Sequence, residues 1–150
     1  MTGSNAQQVG IVASLYRYPV KSMLGEDRAA AVITAKGIAG DRVFALIDAA
    51  TGKVASAKRP QLWRWLLACS ARTLEDDSVS VRLPGGSLHR AGDGVLDHLL
   101  STLAGRGVWL ERAPPANAAL ERSHPEAVLA EGLDAEVGMD GLTQIGRAHV

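Results

Sequence analysis

The chain has 150 residues, 47% of them hydrophobic, and is therefore long enough for one domain with a buried core. Lysine plus arginine and aspartate plus glutamate are equal at 16 each, so the charge balance argues against nucleic-acid and membrane-surface partners, which positive proteins attract. A single cysteine excludes an intramolecular disulfide framework and a multi-cysteine zinc site, and it favours a reducing, cytoplasmic location.

Residues 1–8 are polar and uncharged, a composition that predicts a disordered N-terminus and does not resemble a secretory signal. Nowhere does the sequence approach the ~18 continuous apolar residues that a membrane-spanning helix needs. We therefore expect no membrane association.

The first half of the chain predicts short strands separated by turns. Strands are predicted at 9–18, 28–34 and 43–48, and a turn at 49–52 leads back into a strand at 53–56. Pro19 should end the first strand, because proline has no amide hydrogen to donate to a neighbouring strand.

The second half predicts two helices among further strands. Pro60 favours the start of a short helix, and Asp93 as N-cap with Gly105 as terminator brackets an amphipathic one. Further strands are predicted at 68–73, 78–83, 87–89 and 108–110. The expected fold class is mainly β with one or two helices, a small closed or nearly closed β-barrel-like domain.

Two loops place cationic residues between these strands. Residues 18–22 read Tyr-Pro-Val-Lys-Ser and residues 40–42 read Gly-Asp-Arg. A lysine ammonium, a serine hydroxyl and a planar guanidinium are suitable donors for a small anion such as phosphate. We therefore interpret Lys21, Ser22 and Arg42 as an anion site, with Gly25 allowing backbone amides to approach the anion.

These loops, followed by Thr-Gly-Lys at 51–53, resemble the N-terminal β-barrel domain of the MOSC superfamily. Within it, the branch with the mitochondrial amidoxime-reducing component and its bacterial relatives is the most similar. The resemblance implies a two-domain protein that binds molybdenum cofactor between this domain and a following MOSC barrel. It further implies that Lys21, Ser22 and Arg42 contact the cofactor, whereas the molybdenum-ligating cysteine lies in the second domain.

The function that the resemblance implies is cofactor-dependent reduction of small N-hydroxylated substrates. An electron-transfer flavin or iron–sulfur protein would be the partner. The alternative is a carrier or binding module that holds molybdenum cofactor, or its sulfurated form, without turnover. A third interpretation is a small β domain that binds an unrelated phosphate ligand.

The remaining chemically capable residues are interpreted as structural, and none is predicted to be catalytic or to ligate a metal. Cys69 has apolar neighbours and is expected in the core. Asp41 is interpreted as a turn residue or partner of Arg42, and Lys58 and Arg59 as solvated surface that can border the anion site. The histidines show no metal-ligand spacing: His89, His98, His124 and His149.

The domain organisation predicted from these patterns has three further parts. Residues 9–113 form the β domain, and residues 114–143 form an acidic linker or the start of the MOSC domain. Residues 144–150, Gln-Ile-Gly-Arg-Ala-His-Val, match one reading frame of a widely used sequencing adapter. Our hypothesis is that this tail is non-native and that the chain is truncated before the second domain. The fragment alone is then expected to be inactive.

Overall fold

A computed structural model describes residues 8–112, together with the backbone of residues 119–120 and 143–144. The strands are β1 (Tyr16–Arg17), β2 (Glu26–Asp27), β3 (Ile33–Thr34), β4 (Gly37–Ile38), β5 (Phe44–Asp48), β6 (Ser70–Thr73), β7 (Val79–Arg82), β8 (Leu88–Arg90), β9 (Val108–Arg112), β10 (Ala119–Leu120) and β11 (Thr143–Gln144). The helices are α1 (Pro60–Trp63), which continues into a 3₁₀ helix (Arg64–Ala68), and α2 (Gly94–Ala104). The mainly β class with two short helices is confirmed.

Strand β5 lies at the centre of the fold, and all of its residues are buried. It pairs antiparallel with β9 along its whole length. At its other edge, Val20 bridges to Phe44 in parallel, and Val54 bridges to Ile47 antiparallel. Burial on both faces and both edges explains why this segment is a continuous apolar run rather than an alternating one.

A second sheet, the antiparallel meander β6–β7–β8, shares one hydrophobic core with β5, β9 and α2. The largest fully buried side chains of this core are Trp63, Leu46, Leu66, Leu96 and Leu100. The short helix α1 contributes Trp63 to the core, and the proline at its first position agrees with the predicted helix start.

Helix α2 begins and ends at the residues that the sequence predicts. The Asp93 carboxylate accepts a hydrogen bond from the Val95 amide at 3.0 Å, and Gly105 ends the helix with a left-handed φ of 64°. The apolar stripe of the helix is only partly buried, since Leu100 lies fully inside while Leu103 is 45% exposed.

The N-terminal strands are much shorter than predicted. Within residues 9–18 only β1 is a strand, and within residues 28–34 only β3 is one. Ile11 and Val12 are 86% and 78% exposed. The cause is the short partner strand, because β2 has only two residues that pair with β1. An apolar segment without a partner strand cannot form the backbone hydrogen bonds that a strand requires.

The sheets are small and do not close fully within residues 8–112. Single bridges join them, from Val20 to β5 and from Leu24 to β6 at Ser70. The segment 20–24 therefore connects the two main sheets. It also carries two of the residues predicted to bind an anion, which places the candidate site at this connection.

Three of the predicted regions lie mostly or wholly outside the described residues. They are residues 1–7 of the N-terminal tail, the linker 114–143 and the tail 144–150, apart from the antiparallel pair of β10 with β11. Among the helices that the structure describes, none is long and apolar enough to cross a membrane.

Truncating Leu100 to alanine should lower the free energy of unfolding by about 2–5 kcal/mol, because it removes a fully buried side chain and leaves a cavity. Leu103→Ala on the same helix is the matched control and should cost less than about 1 kcal/mol, since Leu103 is 45% exposed. Urea unfolding followed by circular dichroism measures both. Equal losses would contradict the burial described for α2.

Candidate functional site

The two loops predicted to share an anion site lie side by side and are joined through their backbones. The Arg42 amide donates to the Tyr18 carbonyl at 2.7 Å, and the Lys21 amide donates to the Phe44 carbonyl at 2.9 Å. The structure thus brings the Lys-Ser loop next to the loop that ends in Arg42. Whether the three side chains bind a ligand stays a prediction.

Asp41 connects these loops a second time, through its side chain. Its Oδ1 accepts from the Tyr18 amide at 2.8 Å, and its Oδ2 lies 3.1 Å from Nε of Arg42. The interpretation of Asp41 as the partner of Arg42 is confirmed. The Arg42 side chain is 69% exposed, so this ion pair stabilises the fold little and leaves the guanidinium accessible to a ligand.

Two of the three predicted contact residues have a left-handed backbone. Ser22 has φ of 66° and Arg42 has φ of 51°, and Asp77 is the third such non-glycine residue among those described. Asp77 lies in the turn between β6 and β7, where this conformation is common. A left-handed backbone at serine or arginine costs about 1–2 kcal/mol, and residues strained in this way are found frequently at ligand sites.

Ser22 also joins the first loop to the segment before α1. Its Oγ accepts a hydrogen bond from the Ala57 amide at 3.2 Å. A hydroxyl that accepts this bond keeps its hydrogen available for donation, as an anion requires. The neighbouring Lys58 and Arg59 therefore border the site; Lys58 is exposed, as predicted, and Arg59 is half-buried.

The third motif, at 51–53, forms a turn built around Asp48. The buried Asp48 carboxylate accepts from the Ala50 amide and the Thr51 hydroxyl, each at 3.1 Å. It also pairs with Arg106 at 2.9 Å. These contacts explain the motif as a structural part of the hairpin turn. They give the motif no direct role in the anion site.

Gly25 has a packing role that the sequence did not predict. It is followed by β2, and a Cβ at this position would collide with the carbonyl oxygen of Arg17 and lie 2.8 Å from Cδ1 of Tyr18. The glycine is therefore required for packing against β1, and the approach of backbone amides to an anion at this position stays a prediction.

Cys69 is fully buried in the core, as predicted. Burial raises the pKa of its thiol to about 11, so the thiol stays neutral and is unsuited to ligate a metal. Among residues 8–112 and the other described positions, no group of three or more His, Cys, Asp or Glu side chains is arranged to hold a metal ion. His124 and His149 lie outside that part.

Sequence reasoning missed a partly buried ion pair next to the site. Arg17 and Glu26 are opposed across β1 and β2, with Nη2 of Arg17 2.7 Å from Oε1 of Glu26. Their side chains are 14% and 12% exposed. The only sequence signal was two opposite charges in segments with a strand-like pattern, which does not distinguish a buried pair from a solvated one.

The donor set fits the phosphate of a pyranopterin cofactor. Lys21 contributes a positive charge, Arg42 a planar fork, and Ser22 a hydroxyl whose hydrogen can be donated. Both Lys21 and Ser22 are half-buried, where electrostatic interactions are stronger than in bulk water. These are the charged and hydrogen-bonding groups that an anion requires, and anion binding by them stays a prediction.

The family model of the MOSC N-terminal beta barrel domain matches residues 9–92, which is more than half of the chain. The chain therefore belongs to this family, whose proteins are associated with the molybdenum cofactor. A search of curated proteins found no match. The site described above lies wholly within the matched residues.

Ser22→Gly should be more stable than Ser22→Ala by about 1 kcal/mol, because both lose the bond to Ala57 while only glycine relieves the left-handed strain. The matched pair Asp77→Gly and Asp77→Ala should show the same sign at a position remote from the site. Urea unfolding of all four variants gives the comparison. An alanine variant at least as stable as its glycine counterpart would show that Ser22 is unstrained.

The free energy of unfolding should fall as pH rises from 9 towards 11, partly through Cys69. The folded thiol holds its proton up to about 11 while the unfolded thiol loses it near 9.0, so the stability linked to this group is present below 9 and lost above it. Cys69→Ala should show a shallower fall in urea midpoint over this range. Identical slopes for the two proteins would contradict a raised pKa.

Proposed function

We propose that this chain is the N-terminal part of a molybdenum-cofactor-dependent oxidoreductase that reduces small N-hydroxylated compounds. Lys21, Ser22 and Arg42 would hold the cofactor through its phosphate. The observation that carries the proposal is the backbone pairing of the two loops, with Arg42 bonded to Tyr18 and Lys21 bonded to Phe44. Family membership supports a molybdenum-cofactor role and leaves the reaction itself as our proposal.

Each of the three side chains would make a different interaction with the anion. Arg42 is anchored at Nε by Asp41, so the outer edge of its guanidinium is the part that would meet two phosphate oxygens at once. Lys21 supplies a compact charge from the adjoining loop, and Ser22 donates a hydrogen bond from a hydroxyl fixed by Ala57. The cofactor, when bound, supplies the two-electron redox chemistry.

The residues that ligate the metal and deliver electrons must come from outside the described part of the chain. Cys69 is inaccessible and its thiol is neutral, which removes the only cysteine of the sequence from that role. We infer a thiolate from a following MOSC domain and electrons from a separate flavin or iron–sulfur protein in the cytoplasm. The substrate is a small N-hydroxylated molecule.

Binding of inorganic phosphate to the chain tests the anion site directly. Titration followed by ¹⁵N–¹H NMR should shift the backbone amides of Lys21, Ser22 and Arg42, with sodium chloride at equal ionic strength as the reference. Lys21→Met and Arg42→Gln should each raise the dissociation constant for phosphate by about two- to tenfold, because each removes one charged donor from a partly exposed site.

Lys36→Met and Arg28→Gln are matched controls, since both residues are exposed and lie outside the two loops. They should leave phosphate binding unchanged. If the controls weaken phosphate binding as much as the site variants do, the effect comes from net charge and not from the site. Absence of shifts in the two loops would overturn the site.

The reaction is tested on cofactor-loaded protein that contains this domain, with a chemically reduced viologen as electron donor and an amidoxime as substrate. Turnover supports the reductase. Retention and transfer of cofactor without turnover would overturn the reductase in favour of a carrier.

A further inference from the structure

The guanidinium of Arg17 lies beneath the loop that ends in Arg42 and binds that loop directly. Nε of Arg17 donates to Oε1 of Glu26 at 2.8 Å, and Nη1 donates to the Ala39 carbonyl at 3.3 Å. One partly buried side chain therefore joins β1, β2 and the loop after β4.

The backbone at Gly40 packs closely against the same guanidinium. A Cβ on Gly40 would lie 2.9 Å from Nη1 of Arg17, and the residue has a left-handed φ of 81°. The loop is thus held by Arg17 immediately before Asp41 and Arg42. A side chain at position 40 would force the loop away from this support.

Glu26 anchors the arginine to the rest of the fold. Its Oε1 receives both Nε and Nη2 of Arg17, and its Oε2 accepts from the Thr73 amide at 3.2 Å. The chain of contacts therefore runs from β6 through Glu26 and Arg17 to the carbonyl of Ala39. It ties the loop to the three-stranded sheet.

A partly buried ion pair of this kind contributes little net stability, because the loss of hydration offsets the attraction between the charges. The strands β1 and β2 are already paired through their backbones at Tyr16–Asp27 and Arg17–Glu26. What the ion pair adds is a fixed direction for the guanidinium, and hence a fixed position for the loop that it supports.

We propose that Arg17 is a positioning residue for the anion site. Held by Glu26, it fixes Ala39 and Gly40 so that the Arg42 amide meets the Tyr18 carbonyl and Asp41 reaches both the Tyr18 amide and Nε of Arg42. Arg17 itself does not touch the ligand. The role in anion binding rests on the function proposed above, whereas the fixing of the loop does not.

The test compares Arg17→Met with the double variant Arg17→Met/Glu26→Gln in the full chain. Arg17→Met leaves the partly buried Glu26 carboxylate without its cationic partner, so the thermal midpoint and the inorganic phosphate affinity of this variant should both fall. The double variant removes both charges and keeps an oxygen that can accept from the Thr73 amide, so its midpoint should recover towards wild type. Its phosphate affinity should stay about fivefold or more below wild type, because the contact with Ala39 is still missing.

A second readout, amide hydrogen exchange at Arg42, reports the loop without any ligand. In the double variant this amide should exchange about tenfold faster than in wild type, while the Ala55 amide, which bonds to Leu46 in the core, should not change. Wild-type phosphate affinity together with wild-type exchange at Arg42 in the double variant would overturn the proposal and leave Arg17 a purely structural residue.

The two proposals can fail separately. If wild-type protein shows no phosphate shifts in the two loops, the proposed function fails, and exchange at Arg42 alone decides whether Arg17 fixes the loop. If phosphate binds wild type and the double variant equally, the anion site stands and Arg17 has no role in anion binding, and exchange at Arg42 then decides whether Arg17 still fixes the loop.

Discussion

The pairing of residues 18–21 with residues 42–44 is the constraint on which the rest of the site depends. It occurs at the edge of β5, a strand whose residues are all buried and whose opposite edge is occupied by β9. Burial fixes β5 within the core, and β9 occupies one of its edges. The first loop therefore pairs with the other edge of β5, at Phe44. The proximity of Lys21 and Arg42 is thus a consequence of core packing, and no contact between their side chains is needed to explain it.

The elements predicted best from sequence are those whose determinants are local. Helix α2 carries its own N-cap at Asp93 and its own terminator at Gly105, so both ends could be predicted from neighbouring residues. Strand β5 was predicted from its uninterrupted apolar run, to within one residue at its start. In contrast, residues 9–15 have a strand-like composition without a strand partner, and composition cannot show whether a partner exists.

The candidate donors Lys21, Ser22 and Arg42 could be named from short sequence motifs, and Asp41 could be named as the partner of Arg42. The structure adds Arg17 and Glu26 as groups that support the second loop. These supports act over long distances in sequence, since Arg17 and Ala39 are 22 positions apart and Glu26 and Thr73 are 47 positions apart. No local pattern encodes such contacts. The motif at 51–53 shows the converse, since it is conspicuous in sequence and serves a turn organised by Asp48.

The packing at Gly25 has a consequence for how this domain tolerates change over evolution. Every residue larger than glycine would bring a Cβ onto the backbone of β1, so position 25 has no acceptable neutral substitutions while that packing persists. The ligand contact proposed for Lys21 serves one particular chemistry, so a lineage that changes its chemistry can exchange that residue. Divergent descendants of this domain should therefore keep the glycine after they have lost the lysine.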